Sequence, residues 1–254
     1  MPKVTQTTPP VSGVGVLDRV MAILDAVGSG EHTFTAIRRT TGLTPSTTHR
    51  LLGALEDHGL LMFVGGYGYR LGPRLLGLAA VARHEMPLRE RAHPVLDRLA
   101  TGTGESAQLY VRSGDRRVCI DSVESSSELR TIVEIGTELP VNAGSAGKVF
   151  LAWGPTPETE RLIRAAERRT ERTPVGDRLR QQVATARRLG YATSAGERQT
   201  GVGSVSAPVL DPHGGLVAVV SVSGPESRLG RVSARRYAPA VLAAAREVER
   251  TLGA

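Results

Sequence analysis

The sequence predicts an α+β protein in two parts. A small helical unit closed by a β-hairpin comes first, and a linker helix joins it to a larger domain built on an antiparallel sheet with helices packed to one side. Three observations predict this. Over the first eighty positions apolar residues recur at helical spacing, punctuated by glycine and by a Thr-Pro start signal. A double glycine, Gly65-Gly66, separates two short β-type runs. Beyond position 87 strand-like runs come first, helical segments next and strands again, the order of an α+β domain rather than of repeated βαβ units. The divisions expected are a flexible tail over 1–13, the helical unit over 14–72, the linker over 73–86 and the larger domain over 87–254.

Each element has a local reason. Residues 1–13 are rich in Thr and Pro. From Val14, the residues Val16, Leu17, Val20, Met21, Ile23, Leu24 and Val27 fall at helical spacing until Gly28-Ser29-Gly30 ends the run. A short helix is expected over Phe34–Thr41, closed by Gly42. Thr44-Pro45 then opens another, with Thr as the cap and Pro at the first helical position, and it runs to about His58 with Leu51, Leu52 and Leu55 inward. Leu60–Val64 and Tyr67–Leu71 read as the two arms of a hairpin. Pro73 starts the linker helix, which Pro87 interrupts. In the larger domain a helix is expected at about 88–101, and strands at 107–112, 117–123 and 129–135. Two or three helices follow between Ala146 and Leu189, then strands at 202–210 and 216–222, and a last helix at about 233–252.

Composition narrows the function. Hydrophobic residues make up 40% and charged residues 22% of the 254, an ordinary globular balance that argues against wholesale disorder. The longest apolar run, Leu75–Ala82, is far too short to span a membrane, and the N-terminus has no apolar signal core, so a cytoplasmic protein without a membrane partner is expected. The single cysteine, Cys119, allows neither an internal disulfide nor a cysteine-based zinc site, and its strand context reads as core. Six scattered histidines show no ligand spacing, so neither metal nor cofactor is expected. The formal net charge is +7, and it comes from arginine, because Lys3 and Lys148 are the only lysines. Between His32 and His84 six arginines face only two acids, Glu56 and Asp57. The denser arginine run at 161–188 is interleaved with acids and reads as a solvated face.

Helix, short helix, glycine turn, helix and hairpin is the winged helix-turn-helix order, in which the second helix of the pair enters the major groove of double-stranded DNA. Its N-terminal residues here are small hydrogen-bonding groups followed by an arginine able to clamp a guanine edge or a phosphate. The candidate DNA contacts are Arg38, Arg39, Thr44, Ser46, Thr47, Thr48, His49 and Arg50, with Tyr67, Tyr69 and Arg70 on the hairpin. Helical spacing puts Ser46, Thr47 and Arg50 opposite the leucines, with Thr48 partly inward.

The second half holds several enzyme-like fragments. Ser145-Ala146-Gly147-Lys148 has the S-x-x-K spacing of a serine nucleophile and its lysine base, without the K-T-G element that accompanies it in penicillin-recognising enzymes. It is too short for a P-loop, and Gly201-Val202-Gly203 lacks the third glycine of a dinucleotide fingerprint. A small-molecule pocket is the competing reading: Gly144–Gly147 opens a helix whose free N–H groups suit an anion. Ser204 and Ser206 share one strand face, and Ser221 and Ser223 another. Periodicity alone does not decide whether these serines face a cavity or water.

GVGVLDRVMAILDAV, GLTPSTTHRLLGALEDHGLL and YRLGPRLLGLA, followed in order by TGESAQLYV, LPVNAGSAGKVFLAW, GYATSAGERQTGVGSVSAPVLD and VAVVSVSGP, make the chain resemble the IclR family of bacterial transcriptional regulators from Val14 to Leu229. Within the family it looks most similar to an actinobacterial branch associated with amino-acid metabolism. The resemblance implies a repressor-type regulator that is not an enzyme, with a GAF-like effector domain bearing the antiparallel sheet. It also implies a homodimer or a dimer of dimers that associates through the N-terminal domains and reads a near-palindromic operator. Asn142, Gly144, Ser145, Ala146 and Gly147, together with Ser194, Ser204, Ser221 and Ser223, match the family's effector-lining positions. Family members that bind small keto acids carry an acid where Ser194 aligns, which argues against a glyoxylate- or pyruvate-type effector here. Glu197 stands nearby with a side-chain direction that sequence does not reveal. The alternatives are a hydrolase using Ser145 and Lys148, or a ligand-binding protein without DNA function.

Overall fold

A computed structural model describes residues 14–230 and 233–252; the expected tail, 1–13, lies outside the described residues. The chain divides into two units, one ending at Met86 and the other beginning at Pro87.

The first unit contains α1 (Gly15–Gly28), α2 (Phe34–Thr41), α3 (Pro45–Asp57), β1 (Leu61–Val64), β2 (Gly68–Leu71) and α4 (Arg74–His84). Its core is Ile23, Val27, Ile37, Leu51, Leu52, Leu55 and Leu61, the inward residues of four elements. Capping sets the helix limits. The Thr33 hydroxyl accepts from the Ala36 amide at 3.2 Å to open α2, and Gly42, at φ 68°, closes it in a conformation that glycine adopts without penalty. The Thr44 hydroxyl accepts from the Thr47 amide at 3.4 Å to open α3. Thr44→Ala is therefore expected to lower stability by about 1 kcal/mol; a urea titration of the full chain by circular dichroism checks this, and an unchanged midpoint would contradict the capping role. Strands β1 and β2 pair antiparallel from Leu61↔Leu71 to Val64↔Gly68, with Gly65, Gly66 and Tyr67 in the turn.

The second unit runs α5 (Pro87–Thr103), β3 (Ser106–Ser113), β4 (Arg116–Val123), β5 (Glu138–Pro140), α6 (Ser145–Trp153), α7 (Thr156–Arg164), α8 (Gly176–Leu189), β6 (Ala192–Ala195), β7 (Val202–Leu210), β8 (Leu216–Pro225), α9 (Glu226–Leu229), a 3₁₀ turn (Ser233–Tyr237) and α10 (Ala238–Leu252). All six strands are antiparallel in the order β5-β4-β3-β8-β7-β6.

Three expectations need correction. Helices cover both faces of the sheet, not one. Val205, Ala207, Val209, Ala218, Val220 and Val222 pack with α5 and α10 in one core, whereas Tyr110, Cys119 and Val219 pack with α6 and α8 in another. That explains the near-continuous small apolar run of β8, since a strand buried on both faces has no solvent side to make polar. Residues 129–135 form no strand. Thr131 and Val133 do point inward and Ile132 and Glu134 outward, but the segment has no ladder partner, and the strand begins at Glu138. Finally, Ala192–Ala195 forms the edge strand β6, too short and too polar to register as a strand pattern.

Strand β4 carries a bulge. Tyr110 opposes Cys119 while Leu109 opposes Asp121, leaving Ile120 as the extra residue. The bulge reverses the side-chain phase, so Arg117 and Cys119 face α6 while Asp121 turns to α5. There the buried Asp121 carboxylate accepts from His93 Nδ1 at 2.8 Å and lies 3.3 Å from Arg89 Nη2.

Candidate DNA interface and ligand pocket

At the start of α3 the structure presents Ser46, His49 and Arg50 outward, with Thr44 exposed and Thr47 half-buried. The Thr44, Ser46 and Thr47 hydroxyls lie together, Thr44 Oγ1 donating to Thr47 Oγ1 at 2.9 Å and standing 3.4 Å from Ser46 Oγ. Thr48 is not available to DNA: its side chain is fully buried, and its hydroxyl donates to the Thr44 carbonyl at 3.0 Å. The reason is helical phase, because Thr48 lies three and four residues before Leu51 and Leu52, on the core side. Arg38 and Arg39 are exposed in the last turn of α2, Arg39 only 3.9 Å from Glu31.

On the hairpin, Tyr67 is exposed at the turn. Tyr69 is committed to packing. It meets Phe63 edge-to-face at 5.2 Å, its carbonyl lies 3.0 Å from His32 Nδ1, and desolvation, then the nearby Glu56 charge, raises its phenol above the ordinary value. Arg70 is half-buried and donates to the Tyr69 carbonyl at 3.0 Å. The outward residues of the wing that the sequence reading missed are Met62 and Phe63. Their signal was an apolar pair in a strand too short to cover both faces.

In the second unit the open question about the serines is decided: they face inward. Ser204 stands opposite Ser223, and Ser206 opposite Ser221, on the sheet face toward α6. Ser145, the first residue of α6, donates to Ser204 Oγ at 2.6 Å and lies 2.7 Å from Ser206 Oγ, which donates to Ser221 Oγ at 2.8 Å. Ser223 donates to the buried Gln108 Oε1 at 3.0 Å. The hydroxyls of Ser204, Ser145, Ser206 and Ser221 therefore form one connected row beneath the helix N-terminus, with Ser223 beside it.

They border a cavity of about 20 Å³ that Gly144, Ser145, Ala146, Ser194, Ser204, Ser221 and Ser223 line. Two predicted residues stand apart from it. Asn142 Nδ2 donates to the Glu167 carbonyl at 3.1 Å. Gly147 is a packing position, where a Cβ would stand 2.5 Å from the Val141 carbonyl oxygen and 2.8 Å from Arg117 Nη1. Gly144, at φ 85°, makes the turn that aims the α6 N–H groups at the cavity.

The remaining walls are Tyr110, Arg117, Val133, Arg198 and Val202, none anticipated from sequence. Arg117 is buried; its Nη1 donates to the carbonyls of Pro140 and, at 2.9 Å, of Ala143, and its guanidinium sits 5.4 Å from the Tyr110 ring centre. Burial, followed by the like charges of Arg198 and Arg169 against the favourable Tyr110, lowers its pKa to about 10. Its sequence signal was an arginine in phase with Cys119 on a strand. Arg198 follows Glu197, whose carbonyl accepts from the Thr173 hydroxyl at 2.5 Å.

The Glu197 carboxylate points to Lys148 Nζ, at 2.7 Å, and does not line the cavity. Lys148 also donates to Gln182 Oε1 at 2.8 Å and to the Thr193 carbonyl at 2.5 Å. The S-x-x-K pair is thus split, with the serine in the hydroxyl row and the lysine amine in a buried ion pair toward β6 and α8. Burial and Asp121 push the Cys119 thiol up to about 12. It should resist iodoacetamide at pH 8 in the folded protein and react once unfolded; rapid alkylation of native protein would contradict the buried assignment.

Two family profiles match the chain. One, described as the IclR helix-turn-helix domain, covers residues 16–64, and the other, described as bacterial transcriptional regulator IclR C-terminal, covers 80–250. The chain belongs to the IclR family. Among IclR relatives, the HTH-type transcriptional regulator BhcR of Paracoccus denitrificans is 33% identical over 93% of this chain and 86% of its own. The transcriptional repressor IclR of Escherichia coli is 29% identical over 97% and 93%. An IclR transcriptional regulator from Alicyclobacillus acidocaldarius superposes with a TM-score of 0.82 at 25% identity, over 94% of this chain and 98% of that one. An IclR homologue from Microbacterium hydrocarbonoxydans, crystallised with 4-hydroxybenzoate, superposes with a TM-score of 0.76 at 25% identity, over 93% and 98%. This IclR protein is accordingly a transcriptional regulator with an N-terminal helix-turn-helix and a C-terminal ligand-binding domain. No helix among the described residues is long and apolar enough to cross a membrane, and among those residues no three or more His, Cys, Asp and Glu side chains cluster so as to hold a metal ion.

Proposed function

We propose that this regulator binds a near-palindromic operator through α3 and the wing, and that a small metabolite in the cavity beneath α6 controls its operator affinity. The observation that carries the second half of the reading is the inward serine row meeting the α6 N-terminus, a set of convergent polar groups inside the domain. The relative crystallised with 4-hydroxybenzoate supports it. The first half rests on the exposed Ser46, His49 and Arg50 at a helix N-terminus and on the acid-poor surface around them.

A dimer would set two α3 helices about one DNA turn apart. Self-association through the first unit has a physical motive: Val16, Leu17 and Met21 of α1 and Leu76, Leu78 and Val81 of α4 are all exposed apolar residues. Effector binding would bias two arrangements of such an assembly through its differential affinity for them. A hydrolase built on Ser145 and Lys148 is disfavoured, because the lysine amine is taken by Glu197, Gln182 and Thr193 rather than by the serine.

Fluorescence anisotropy with DNA from upstream of the protein's own gene, beside a scrambled duplex and at several salt concentrations, tests the reading. Sequence-dependent binding is expected. Equal binding to both, steeply weakened by salt, would reduce it to phosphate attraction, and no binding by folded protein would overturn it.

A further inference from the structure

We infer that the cavity beneath α6 is built for a small organic dianion, a dicarboxylate, held between Arg117 and Arg198. The inference rests on the effector-pocket reading above and adds the chemistry of the occupant. Both arginines line the cavity, and a Cβ placed on Gly144 would stand 3.3 Å from Arg117 Nη2 and 4.0 Å from Arg198 Cβ. Gly144 is also the residue at which the N–H groups of α6 open toward the cavity. Two arginines and a helix N-terminus thus border the same cavity.

Backbone carbonyls and the Tyr110 ring meet Arg117, but among the described residues no negative charge pairs with either arginine. Among the described residues neither guanidinium has a carboxylate within 4.0 Å: Glu197, beside Arg198, is turned to Lys148, and Asp115, two residues before Arg117, pairs with Arg161. Arg117 is 3% exposed, and its Nε is buried without a hydrogen-bond partner, so part of its donor fork is unspent. Elsewhere in this unit buried charges do find partners. Glu105 takes Arg228 through two bonds of 2.6 and 3.0 Å, and Asp121 takes His93. A cation left uncompensated inside a domain is costly, and a second of the same sign beside it adds to the cost. One ligand charge offsets one guanidinium; two charges offset both. The serine row and the walls of Val133, Val202 and Tyr110 then suit a short carbon chain.

At about 20 Å³ the cavity holds about one water, so the ligand has to open it. The wall most able to yield is Val133, on the segment between Val123 and Glu138 that has no strand ladder to hold it.

Calorimetric titration of the full chain with malonate, succinate, glutarate and adipate tests the inference, beside succinamate, succinamide and 4-hydroxybenzoate. At least one dicarboxylate should bind, with succinamate and 4-hydroxybenzoate about tenfold or more weaker and succinamide silent. Arg198→Gln removes the half-exposed cation without touching the buried packing of Arg117. It should weaken the dicarboxylate about tenfold or more and close the gap to the half-amide. Binding of none of the four dicarboxylates, equal binding of a monoanion or the diamide, or an unchanged Arg198→Gln variant would each overturn the inference. Anisotropy with operator DNA in the same mixtures separates it from the reading beneath it. A dicarboxylate that binds without moving operator affinity leaves the ligand class standing and removes the regulatory role. Operator affinity that answers only to neutral or singly charged compounds does the reverse.

Discussion

Arg50→Ala is expected to weaken specific DNA binding about ten- to a hundredfold and to lower the salt slope by about one. The argument begins with helical phase. Leu51, Leu52 and Leu55 hold the inner face of α3 against the core, which turns Arg50 fully outward one turn from the helix start. Among the described residues it has no ion pair to break before it meets DNA. An arginine there can take a guanine edge through two parallel bonds or a phosphate through one. The two cases differ in the readout. Base contact relaxes specificity at one position of the operator, whereas phosphate contact weakens all duplexes alike. Affinity and salt slope both equal to the wild type would remove Arg50 from the interface.

Glu197→Ala should destabilise the second unit by about 3 kcal/mol or more, because it leaves the Lys148 ammonium buried without its counter-charge. Gln182 and the Thr193 carbonyl still accept from that ammonium, but neither supplies a negative charge. The pair ties three segments together, α6 through Lys148, α8 through Gln182 and the loop after β6 through Glu197. That loop in turn carries Arg198 to the cavity. The one tryptophan, Trp153, ends α6 with Arg187 stacked 4.8 Å from its ring centre, so its fluorescence in a urea titration reports on this unit. A loss below about 1 kcal/mol would mean the pair behaves like a solvent-exposed one. A Lys148→Met, Glu197→Leu double variant should recover much of the loss, because removing both charges removes the penalty of burying one alone.

Much of the first unit was legible in the sequence because its determinants are local. Thr33, Thr44 and Pro45 mark helix starts and Gly42 a helix end, and the leucine spacing of α3 shows which residues are left for DNA. Thr48 was the exception by one step of phase: a threonine reads as polar, but at that position its hydroxyl folds back on the Thr44 carbonyl and its methyl joins the core. The second unit was legible as an order of elements and as a serine pattern. Its faces were not, since a Val/Ala/Ser strand alternates without announcing which side is solvent. The segment over 129–135 shows the same limit from the other direction, alternating in burial without a neighbour to pair with.

The sequence by itself determined the class of this protein, the helix-turn-helix with its wing, and the serine pattern but not the side it faces, because caps, periods and short motifs act within a few residues of one another. Only the tertiary structure decided that helices cover both faces of the sheet, that Lys148 belongs to Glu197 and not to Ser145, and that Arg117 and Arg198 share the cavity. Those pairings join residues far apart in the chain. Which charge meets which depends on strand register, on the bulge at Ile120 and on the close approach at Gly147, and a linear pattern carries none of these.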